Sequence, residues 1–81
     1  AALDARQHRY VMLHLPSERI EDLRAVFPGL ASPTVLPLAG REDLVAVHFV
    51  VGTTQLWERL AELRTMGATG IVALPPDALL P

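Results

Sequence analysis

From His8 to Leu15 the chain alternates, with Val11, Leu13 and Leu15 on one side and Tyr10, Met12 and His14 on the other. That period of two predicts a first strand. Pro16-Ser17-Glu18 then predicts a helix start, because proline is tolerated in a first turn and a serine or early carboxylate can satisfy free backbone amides. Ile20, Leu23, Val26 and Phe27 follow at helical spacing, and Pro28-Gly29 stops the run. Pro33 to Ala39 holds β-favouring Thr34 and Val35, but Pro33 and Pro37 cannot donate to a ladder, which predicts an edge strand. Gly40-Arg41-Glu42-Asp43 reads as a polar turn, and Leu44 to Val51 returns as the most apolar strand, so the two form a hairpin. After Gly52, Thr53 or Thr54 is placed to cap a second helix with Leu56, Trp57, Leu60 and Leu63 or Arg64 on its buried flank, ending at Gly67. Gly70 to Leu74 predicts the last strand, closed by Pro75-Pro76 and followed by a short tail.

The order β-α-β-β-α-β, with right-handed crossovers, predicts an α+β ferredoxin-like sandwich in which both helices pack on one face of an antiparallel-containing sheet. Residues 1–7, with Leu3 as their one large apolar side chain, read as the end of a linker or of a preceding helix, and residues 8–81 as the domain. Strands one and three become central neighbours. Their helix-facing side holds Val11, Leu13, Leu15, Val45, Val47, Phe49 and Val51. The other side holds Tyr10, Met12, His14, Leu44, Ala46, His48 and Val50, and a sheet face so apolar implies a cover. Another copy of the chain is the simplest one, with Tyr10, Met12, Ala46, His48 and Val50 as the oligomer face.

Eighty-one residues, 51 % of them hydrophobic, allow one small core and no second substrate-sized domain. With no cysteine there is neither a disulfide nor a thiolate metal site, so association with other copies or with a parent chain is the remaining source of extra stability, and a reducing cytoplasmic setting is expected. No apolar stretch approaches the ~20 residues of a membrane-spanning helix, and no membrane partner is expected. Net charge is −2, and the seven basic residues, all arginine, are scattered without forming a stripe, which argues against nucleic acid.

Candidate chemistry is sparse. His14 and His48 are placed on adjacent strands of the open face, but no third ligand accompanies them, and each reads as a hydrogen-bonded interface residue. Glu21 with Arg24, and Arg59 with Glu62, have the spacing of surface ion pairs, and no pair of acids clusters for acid–base work. Neither Ser17 nor Ser32 sits in a nucleophile elbow. Gly67-Ala68-Thr69-Gly70 runs from helix to strand, the reverse of a phosphate-binding loop, although Gly70 leaves room for close approach of a ligand or backbone. Catalytic residues are therefore not expected.

Arg9 to Pro16, Pro28-Gly29-Leu30, Ser32-Pro33-Thr34, Val45 to His48, Gly67-Ala68 and Ile71 to Pro75 together resemble the C-terminal regulatory domain of long-form ATP phosphoribosyltransferase, a glycosyltransferase that opens histidine biosynthesis. The resemblance implies a ferredoxin-like domain related to PII proteins and of ACT-like type, allosteric feedback inhibition by L-histidine, and trimeric contacts within a homohexamer. It also implies an effector pocket formed by His14, Leu30, Ser32, Thr34, Val50 and the backbone near Gly70. Some members carry an acidic residue where His14 stands. The family's phosphate loop and magnesium belong to catalytic lobes with no counterpart in this stretch, so no cofactor is expected here. A pure oligomerisation or partner-docking module, without a ligand, is the alternative reading.

Overall fold

The computed structural model describes residues 4–79. Residues 1–3, the first part of the expected linker with Leu3, and the end of the tail at 80–81 lie outside the described residues. A 3₁₀ turn at Ala5–Gln7, closed by the Asp4 carboxylate accepting from the Arg6 amide at 3.0 Å, leads into β1 (His8–Pro16). A second 3₁₀ turn (Ser17–Arg19) precedes α1 (Ile20–Val26). Then come β2 (Thr34–Leu38), β3 (Arg41–Gly52), α2 (Thr53–Thr65) and β4 (Thr69–Leu74).

The strands form one sheet in the order β2-β3-β1-β4, with every neighbouring pair antiparallel, and the helices complete an α+β ferredoxin-like arrangement. β2 and β4 are its edges. β1 and β3 pair along their length, from His8 opposite Gly52 to Pro16 opposite Leu44. Because side chains alternate, that register sends Val11, Leu13, Leu15, Val47, Phe49 and Val51 into the core. There they meet Leu23, Val26 and Phe27 of the first helical segment and Leu56, Leu63 and Met66 of the second. The Phe27 and Phe49 rings lie 5.5 Å apart, centre to centre, and tie α1 to the sheet.

α2 ends in a Schellman motif. The amide of Gly67, at φ +97°, donates to the Arg64 carbonyl and that of Ala68 to the Leu63 carbonyl, both at 3.0 Å. Both expected helix caps are corrected. Ser17 donates instead to the Glu42 carbonyl of β3 at 3.0 Å, stapling the 3₁₀ turn to the sheet, and α1 begins three residues later. Gly52 occupies the cap position of α2, where neither threonine supplies a side-chain cap.

Three further expectations are corrected. Trp57 is 58 % exposed, because its neighbour Leu56 and residue Leu63, two turns on, take the inward positions of α2. Arg19, not Arg24, is the α1 partner, and it pairs with Asp22; Glu21 and Arg24 form no ion pair among the described residues. The turn between β2 and β3 is only Ala39-Gly40, with Gly40 at φ +74°. Arg41, Glu42 and Asp43 already belong to β3, where residues two apart share a face, and the Arg41 guanidinium forks onto the Asp43 carboxylate with two 2.8 Å bonds. That pairing holds Asp43 down to about 2.

Candidate functional site

The sheet face away from the helices carries the side chains that register pairs bring together: Tyr10 beside Val50 and Leu74, Met12 between His48 and Val72, and His14 between Ala46 and Thr69. β2 continues the same face, setting Thr34 opposite His48 and Leu36 opposite Ala46. Tyr10, Leu36, Val72 and Leu74 are 37–46 % exposed here, so a large part of this apolar face meets water in the single chain.

Besides His14 and Thr69, polar side chains on that surface gather around His48. The Tyr10 hydroxyl lies 2.9 Å from Nδ1 of His48, and the two rings meet edge to face with centroids 5.7 Å apart. Thr34 is directly across β2–β3 from His48, so three polar side chains run across three strands. A shallow cavity of about 260 Å³ opens over them, lined by Tyr10, Leu30, Ala31, Ser32, Thr34, His48, Phe49 and Val50. The segment after α1 forms its rim: Gly29, at φ +87°, turns the chain, and the Leu30 amide donates back to the Phe27 carbonyl at 3.1 Å. Ser32 and Thr34 then flank Pro33 at the entry to the edge strand. Apolar walls with a few convergent polar groups are the usual makeup of a small-molecule site, and this volume is just below the usual range for such pockets.

Four of the six residues expected to hold an effector, Leu30, Ser32, Thr34 and Val50, thus meet in one cavity. The other two lie elsewhere on the same face. His14 sits over Gly70, where a Cβ would come 3.8 Å from its Nδ1. Gly70, at φ +59°, is the extra residue of a bulge, since β4 has two residues between the Met12–Val72 and His14–Thr69 pairs and β1 has one. Two strand spacings and two residues of rise separate the Cα atoms of Thr34 and His14 by roughly 12 Å. His48 and Ala46 of β3 stand between them.

The expected oligomer residues Tyr10, Met12, Ala46, His48 and Val50 are all on the open face, but Tyr10, His48 and Val50 also line the cavity. Sequence reasoning assigned Tyr10 and His48 to assembly alone. The Thr34–His48 register was the signal that would have moved them, and it depends on the hairpin's irregularity. Among the described residues no three His, Cys, Asp or Glu side chains gather as a metal site, and no helix is long and apolar enough to cross a membrane.

Residues 5–76, nearly the whole chain, match the family described as HisG, C-terminal domain. The chain therefore belongs to the family of the C-terminal domain of ATP phosphoribosyltransferase, HisG, and is associated with that enzyme of histidine biosynthesis.

Proposed function

We propose that the domain binds L-histidine on the open sheet face, as the feedback effector of ATP phosphoribosyltransferase, and that the same face assembles copies of the chain. The observation that carries the ligand half is the cavity uniting Leu30, Ser32, Thr34 and Val50. Hydroxyls of Ser32 and Thr34 supply donors and acceptors for an amino acid's charged groups, and Leu30 and Val50 supply apolar walls. His14 and Gly70 lie on the same sheet face but outside the lining of this cavity in a single copy. Their part in the site is to close the cavity of a neighbouring copy, which makes ligand binding and assembly one arrangement.

The apolar exposure of Leu36, Val72 and Leu74 supports the assembly half by itself, and it is what favours the second reading, a docking module without a ligand. Calorimetry with L-histidine separates the two. Saturable heat at millimolar histidine or below is expected; its absence from a chain that sedimentation shows to be assembled leaves the docking module.

A further inference from the structure

We propose that Tyr10 and His48 form the recognition element for the ligand's carboxylate, a role that rests on the effector reading above. A carboxylate only accepts hydrogen bonds, so its partner must present N–H or O–H donors. Nδ1 of His48 is already engaged by the Tyr10 hydroxyl at 2.9 Å, which leaves Nε2 as the ring's other polar atom. When the Tyr10 O–H donates to Nδ1, the neutral ring carries its proton on Nε2, and His48 becomes a donor. Tyr10 thus acts as a positioning residue: it fixes both the tilt and the tautomer of the imidazole that touches the ligand.

The placement supports this assignment. His48 stands opposite Thr34 in register, so the Nε2–H and the Thr34 hydroxyl are neighbouring donors on one face. Leu30 and Val50 line the same cavity, and Met12 stands beside His48 on β1. A donor pair within apolar walls favours a carboxylate over a neutral acceptor, because a charge-assisted hydrogen bond is roughly twice as strong as a neutral one. The ligand class is a free amino acid with an unblocked carboxylate.

Histidinol, in which a hydroxymethyl group replaces the carboxylate, isolates this contact. With the unsubstituted chain, L-histidine is expected to bind about ten- to a hundredfold more tightly than histidinol, the ratio of one or two charge-assisted hydrogen bonds. His48→Asn, whose short amide reaches the Nδ1 position alone, and Tyr10→Phe, which frees the ring, should each shrink that ratio by about tenfold. His48→Gln, whose amide reaches the Nε2 position, should retain more of it than His48→Asn. A packing role would weaken both ligands together and leave the ratio unchanged, and an unchanged ratio in both His48→Asn and Tyr10→Phe overturns the assignment. No L-histidine binding by the unsubstituted chain would overturn the effector reading and this assignment with it, so the two failures are distinct.

Discussion

Gly67 packs against the ring of Pro16: a Cβ at residue 67 would lie 3.0 Å from Pro16 Cγ and 3.2 Å from Cδ. The contact joins the end of α2 to the end of β1, and the positive φ of Gly67 is a conformation that costs any side chain. Gly67→Ala should therefore lower stability by about 1–3 kcal/mol, combining left-handed strain with the displaced proline ring. Urea denaturation reads this as a fall in midpoint at unchanged slope. A midpoint equal to that of the unsubstituted chain would show that the end of α2 yields without cost.

Ala46 lies at the centre of the open face, opposite His14 on one side and Leu36 on the other. In an assembly that covers this face, Ala46→Glu buries a carboxylate among apolar groups with only the His14 imidazole beside it, which is costlier than leaving it in water. Sedimentation should show the unsubstituted chain associating and the variant as a monomer of unchanged secondary structure. A monomer for both, at high concentration, removes the assembly proposal.

Thr34→Ala deletes one cavity hydroxyl while leaving β2 its backbone pairing with β3. Loss of one hydrogen bond to a charged ligand group costs ~1.5–3 kcal/mol, so histidine affinity should fall roughly ten- to a hundredfold by calorimetry. Equal affinities would release this hydroxyl from the site, leaving the cavity's other groups as the contacts.

Arg41 holds Asp43 down to about 2. The ordinary carboxyl value is ~3.9, so the pairing contributes to folding in full above that pH and loses its contribution as the pH falls towards the depressed value. The pair is exposed, and its effect on stability is correspondingly small. Its titration is the sensitive readout. By NMR the Asp43 carboxyl should remain ionised at pH 3, and Arg41→Ala should raise its midpoint towards the ordinary range.

The alternation of Val11, Leu13 and Leu15 with Tyr10, Met12 and His14 was enough to define the two faces of β1, because burial on one side imposes a period of two on any strand. The hairpin was harder. Leu38 stands opposite Arg41, and counting back from that pair would set Thr34 opposite Val45, on the core side. An irregularity at Glu42, Asp43 and Leu44 moves Thr34 opposite His48 instead and turns it to the open face. No local propensity marks such an offset, which is why the cavity's polar row was not legible while its individual members were. Trp57 misled for a related reason: helical spacing alone does not say which edge of an apolar arc points inward, and here Leu56 rather than Trp57 does.

The two margins of the sheet differ in chemistry. β2 contains Pro37, which has no amide hydrogen to offer an incoming strand, whereas β4 contains no proline. Lengthening of the sheet by an added strand is consequently favoured on one side only. Two chains joined margin to margin through β4 would leave only proline-bearing margins at both ends, which disfavours a filament. A domain with so much apolar surface in water thus carries, in one imino acid, a safeguard against running on into fibres.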